Sequence, residues 1–149
     1  MTRGKMQIVF YLSFLEDDSM HFSGEGLKLN ALIVEDNASF SRTLKDSLQT
    51  LFPSMVIHEA GKGEEALQKV DTFHPQLIFM DIRLPGENGL ELTQKIKVTH
   101  PETRVMILTS YDTQEYREAA VRCGANCFIP KDSMSRKLLE TFVRSFQPG

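Results

Sequence analysis

Gln76-Leu77-Ile78-Phe79-Met80-Asp81 is a nearly unbroken apolar run that stops on a carboxylate. Apolar side chains at consecutive rather than alternate positions mark a strand buried on both faces, as in a parallel sheet covered by helices. Four more short runs share this character: Ala31–Val34, Met55–Ile57, Val105–Leu108 and Cys127–Ile129. They favour β-branched and aromatic residues, which suit a pleated, buried surface. Between them apolar residues recur three or four apart, the spacing of one helix face. Phe40, Leu44, Leu48 and Leu51 form the first such stripe, behind an N-cap at Asn37 or Ser39. Similar stripes run through Ala66, Val70 and Phe73, through Leu92 and Ile96, through Tyr116, Ala120 and Cys123, and through Leu138, Phe142 and Phe146. Strands joined by helices run parallel, and right-handed crossovers put helices on both faces, so the expectation is an α/β fold with a doubly wound five-stranded parallel sheet.

In such folds ligands sit beyond the carboxyl ends of the strands. The residues found there are Glu35 and Asp36 after the first run, Asp81 after the third, Thr109 after the fourth and Lys131, beyond Pro130, after the fifth. Each has an ordinary alternative: the carboxylates and Thr109 as helix caps, Lys131 as a solvated surface charge. As a set they point to chemistry. Three acids at one crevice repel unless a cation sits among them. Oxygen donors without His or Cys suit a hard ion, so Mg²⁺ is expected and zinc is not. Asp81, at the end of the most apolar run and hence near mid-sheet, is the expected nucleophile toward a phosphoryl donor. Lys131 would offer a point charge and Thr109 a hydroxyl to the phosphoryl oxygens.

Leu32-Ile-Val-Glu-Asp-Asn37, Phe79-Met-Asp-Ile-Arg-Leu-Pro-Gly-Glu-Asn-Gly89, Ile107-Leu-Thr-Ser110 and Phe128-Ile-Pro-Lys-Asp132 resemble, in order and spacing, the signature blocks of two-component response-regulator receiver domains, across about residues 29 to 146. The resemblance implies a flavodoxin-like (CheY-like) sheet of strand order 2-1-3-4-5. It implies that Asp36, Asp81 and the backbone carbonyl of Arg83 bind Mg²⁺, with Glu35 acting through water. It also implies phosphorylation of Asp81 by a sensor histidine kinase or phosphotransfer protein, and Thr109 with Phe128 as a switch pair. On this view the chain is a phosphoacceptor rather than an enzyme, with at most slow self-phosphorylation from small donors and slow autodephosphorylation. Two rival readings are a receiver-like interaction module that is never phosphorylated and, more remotely, an aspartyl-phosphate phosphatase of the haloacid-dehalogenase type. The latter wants a second Asp two positions after the nucleophile, where this chain has Arg83.

The 149 residues suffice for one core, and 17 basic against 20 acidic residues give a net charge of -3, no general field for nucleic acid or anionic membranes. The expectation is therefore no direct nucleic-acid binding and no membrane partner. Cys123 and Cys127 are too few and too close for a disulfide framework and make a poor zinc signature, so they read as structural residues of a cytoplasmic protein. Residues 27–149 are taken as the receiver domain. Residues 1–26, with Arg3 and Lys5 before the apolar run Ile8 to Leu15 and Met20 as a candidate initiator, are taken as a leader, a cloning-derived or a disordered segment.

Two departures from the family pattern sharpen the expectation. Arg83, two after Asp81, and Tyr111, two after Thr109, are bulky and should obstruct water attacking a phosphorylated Asp81, giving a long-lived signal. Lys131-Asp132, where many receivers have Lys-Pro, resembles receivers that precede a helix-turn-helix output domain. The last helix pair carries mixed charges, Glu115, Arg117, Glu118 and Arg122, then Arg136, Lys137, Glu140 and Arg144, which suits either solvent or a homodimer formed through that pair and the fifth strand. His21, His58, His74 and His100 are scattered in the sequence and suggest no catalytic role.

Overall fold

The computed structural model describes residues 28–145. Its elements are β1 (Asn30–Val34), α1 (Ala38–Leu51), β2 (Val56–Ala60), α2 (Gly63–Phe73), β3 (Leu77–Met80), β4 (Arg83–Leu84), β5 (Glu87–Asn88), α3 (Gly89–Thr99), β6 (Arg104–Thr109), α4 (Gln114–Arg122), β7 (Cys127–Pro130), a 3-10 turn (Lys131–Ser133) and α5 (Arg136–Arg144). The main sheet has five strands in the order β2-β1-β3-β6-β7, all parallel, which is the expected 2-1-3-4-5 order. β3 lies in the middle, so Asp81 leaves the sheet at its centre.

Alternation along the strands divides the core in two, because successive side chains point to opposite faces. Leu32, Val34, Ile78, Met80, Val105 and Ile107 pack with Ala66 and Val70 of α2, Leu92 and Ile96 of α3, and Ala120 of α4. Ala31, Ile33, Leu77, Phe79, Met106 and Leu108 pack with Leu44 and Leu48 of α1 and with Leu139, Phe142 and Val143 of α5. On that second face Phe79 and Phe142 meet edge to face, ring centres 5.9 Å apart, the arrangement the aromatic quadrupole favours. Thus α1 and α5 cover one face and α2, α3 and α4 the other.

Three details differ from the sequence expectation. β2 begins one residue later than expected and is not buried on both faces: it is an edge strand paired only with β1, and Val56 is 47% exposed. Phe73 ends the α2 stripe 39% exposed, stacked on the His58 ring at 3.7 Å between centres. In α5 the fully buried residues are Leu139, Phe142 and Val143, with Leu138 half-buried, and the expected Phe146 lies outside the described residues, as does the segment 1–26. The loop after Asp81 is a small antiparallel hairpin in which Arg83 pairs with Asn88 and Leu84 with Glu87, turning at Gly86 with φ 69°. Cys123 and Cys127 are free and buried, and burial pushes the Cys127 thiol up to about 12, in keeping with a structural role.

Candidate functional site

The helix caps decide between the ordinary and the chemical readings of the strand-end residues. α1 is capped by Asn37, whose Oδ1 accepts from the Phe40 N–H at 3.0 Å. α3 is capped by Asn88, which accepts from Leu90 N–H at 2.7 Å, and α4 by Thr113, which accepts from Tyr116 N–H at 3.1 Å. Asp36, Asp81 and Thr109 are therefore none of them caps. Lys131 is no solvated charge either: its side chain is 16% exposed, and Nζ lies 2.7 Å from Glu35 Oε1 and 3.3 Å from Asp81 Oδ2.

Backbone ladders place these groups. Asp81 N–H donates to Val34 O and Glu35 N–H to Ala60 O, so both carboxylates stand one residue past their strands at the same edge. Glu35, Asp36 and Asp81 each present a carboxylate oxygen, all within 4.8 Å of one another, with Glu35 and Asp81 buried and Asp36 exposed to solvent. Burial pushes the Glu35 carboxyl above its ordinary value, and the nearby Asp81 adds to this, against the hydrogen bonds from Lys131 and the Asn37 N–H. Burial works against charge on Lys131, but its contacts with Glu35 and Asp81 together outweigh it and leave its pKa raised, so it stays an ammonium. Lys131 serves as the counter-cation of the cluster.

Thr109 is fully buried at the end of β6, and its Oγ1 accepts from Tyr111 N–H at 3.1 Å. Phe128, on the neighbouring β7, is 6% exposed and packs in the core beneath α2, α3 and α4. The two bulky residues flagged in the sequence touch: the Arg83 guanidinium lies 4.0 Å from the centre of the Tyr111 ring, a cation–π contact. Sequence reasoning missed Phe40. It belongs to the α1 stripe, but its ring also carries Lys131 Nζ at 4.4 Å from its centre, and both line an open cleft of about 420 Å³ with Asn37, Ser110 and Asp132. An amphipathic spacing gives no hint of such a dual role.

A parallel sheet that gathers three carboxylates, a buried threonine and a shielded lysine at the carboxyl ends of its strands defines a flavodoxin-like protein with an acidic site. Comparison with known proteins narrows this. The response regulator receiver domain model matches residues 31–143, and the chain belongs to that family. It is similar to the oxygen regulatory protein NreC of Staphylococcus haemolyticus, 36% identical over 110 residues, covering 72% of this chain and 51% of that protein. The chain thus spans about half the length of the curated relatives it matches. Among solved structures, the CheY-like receiver domain protein of Methanospirillum hungatei aligns with TM-score 0.73 and 27% identity over 80% of this chain and 94% of that one. The receiver domain of a DNA-binding response regulator from Colwellia psychrerythraea gives 0.74 and 25% over 78% and 96%. Among the described residues no helix is long and apolar enough to cross a membrane.

Proposed function

We propose that this receiver accepts a phosphoryl group on Asp81 from a sensor histidine kinase or phosphotransfer protein and switches a partner-binding face in response. The observation that carries this is the convergence of Asp81 with Asp36, Glu35 and Lys131 at the carboxyl ends of the strands. An all-oxygen donor set fits Mg²⁺. Asp36 and Asp81 would hold the ion, with the Arg83 carbonyl. Glu35, whose two oxygens already face Lys131 and the Asn37 N–H, suits an indirect role through water. Bound there, the ion would neutralise charge on the phosphoryl oxygens. An Asp81 oxygen attacks phosphorus, the bond to the donor breaks, and Lys131 and the Thr109 hydroxyl steady the oxygens of the transferred group. The protein acts as phosphoacceptor rather than as an enzyme with turnover. Beryllofluoride, a phosphoryl mimic, tests the site: it should raise thermal stability only when Mg²⁺ is present, and an equal rise in Asp81→Asn would contradict the assignment.

The Arg83–Tyr111 stack governs lifetime. Arg83 follows Asp81 by two positions and Tyr111 follows Thr109 by two, and their mutual contact would hold both side chains in the way of water attacking a phosphorylated Asp81. Arg83→Ala combined with Tyr111→Ala should speed loss of the phosphoryl group about tenfold, the equivalent of roughly 1.4 kcal/mol in the barrier. An unchanged decay rate, followed by intact mass after donor removal, would show that the stack shields nothing.

The readout would run from Thr109 to Phe128. Movement of the Thr109 hydroxyl from Tyr111 N–H toward the phosphoryl group changes the packing against β7 and so the face formed by α4, β7 and α5. A second copy of the domain is one partner for that face.

A further inference from the structure

At the opposite edge of the sheet from Asp81, two histidines distant in sequence come together. His74 is the C-cap of α2 and His100 the C-cap of α3, and their ring centres lie 5.8 Å apart. Two imidazoles that share a tetrahedral ion through nitrogens about 2.0–2.1 Å from it have ring centres roughly 5–6 Å apart. The pair borders a cavity of about 70 Å³ whose wall also includes Glu102. We propose that His74 and His100 form a second cation site, for a divalent transition ion of the Zn²⁺ class, chemically distinct from the all-oxygen cluster around Asp81.

Two observations support it besides the ring spacing. His100 Nδ1 is hydrogen-bonded to Thr99 Oγ1 at 2.8 Å, which fixes the ring and leaves Nε2 to ligate, as outer partners do in metal sites. Each histidine closes a helix, His74 N–H donating to Val70 O and His100 N–H to Ile96 O, so two helix C-termini with partial negative charge converge on the place a cation would occupy. His74 is the one non-glycine residue at positive φ, 48°, among the described residues, a conformation that turns the chain at the end of α2. Imidazole nitrogens with a carboxylate suit Zn²⁺, Ni²⁺ or Cu²⁺ rather than Mg²⁺. Among the described residues only the acidic cluster has three donors within 4.8 Å, so here the chain offers two ligands as it stands. Glu102 would join by rotating its side chain, and water would complete the shell. The ion would tie the end of α2 to the end of α3.

The test is calorimetric titration of the full chain with Zn²⁺ under saturating Mg²⁺, which occupies the Asp81 cluster. The variants are His74→Asn, chosen because Asn tolerates the left-handed backbone, and His100→Ala. The expected result is one equivalent bound by the wild type, at least tenfold weaker in each variant, and a Zn²⁺-dependent rise in melting temperature that both variants lose. Equal unliganded melting temperatures would show the variants to be folded. Failure of the wild type to bind, or binding that both substitutions leave unchanged, would overturn the proposal.

Discussion

Gly89→Ala is expected to unfold the loop that follows Asp81. A Cβ built on Gly89 falls 1.9 Å from the Asp81 carbonyl oxygen, 2.9 Å from its carbonyl carbon and 3.0 Å from Ile82 Cα. Every one of these is backbone, so no side chain can swing aside. The same residue donates its N–H to Ile82 O at 2.7 Å, closing the β4–β5 hairpin on itself. A methyl group must therefore push α3 off the chain that leaves β3, and Asp81 moves with it. The cost is about 3 kcal/mol, at the upper end of overpacking penalties, read by chemical denaturation. Phosphorylation should slow about a hundredfold, since a displacement near 1 Å of a reacting group has that scale of effect. Gly86→Ala is the contrast. Nothing lies within 4 Å of its Cβ, so only its φ of 69° opposes the change. It should cost about 1 kcal/mol and leave the phosphorylation rate nearly intact. Near-equal effects of the two substitutions would show that the close approach at Gly89 does not position the site.

Lys131→Ala should move two properties of the site in opposite directions. With the lysine gone, Glu35 and Asp81 lose their counter-cation while remaining buried. Truncating one partner of a buried ion pair costs about 3–5 kcal/mol at the extreme, and the effect here should be smaller because Asp36 opens the cluster to solvent. Mg²⁺ should bind more tightly to the variant, because the ammonium competes for the same carboxylates. The phosphorylation rate should nevertheless fall about a hundredfold, the scale seen when one donor to a developing anion is removed. Calorimetry for Mg²⁺ and the initial rate with acetyl phosphate separate the two. Weaker Mg²⁺ binding together with an unchanged rate would mean that Lys131 merely braces the loop.

The fold was largely legible because its strands are short, consecutive in apolarity and separated by helical spacings. Leu77–Met80 reads as a central strand in isolation, and is one. The edge was harder: Met55 is buried just before β2, whereas Val56 inside it is exposed, because burial there depends on β2 having a single neighbour. The strand-end residues could be named in advance because a parallel sheet delivers all its carboxyl ends to one side. Their mutual arrangement could not. That Lys131 is held by Glu35 more closely than by Asp81, and rests on Phe40, depends on rotamers that no spacing encodes. The meeting of His74 with His100 was equally hidden. It arises because α2 and α3 end side by side at the amino edge, where no motif marks the sequence.

Incubation of the chain with acetyl phosphate and Mg²⁺, followed by intact mass in the wild type and in Asp81→Asn, shows whether Asp81 is the phosphoacceptor. The wild type should gain a single phosphoryl group, stable in acid and lost in base, dependent on Mg²⁺ and absent from Asp81→Asn. The same mass increase in Asp81→Asn, or none in the wild type, would contradict that role.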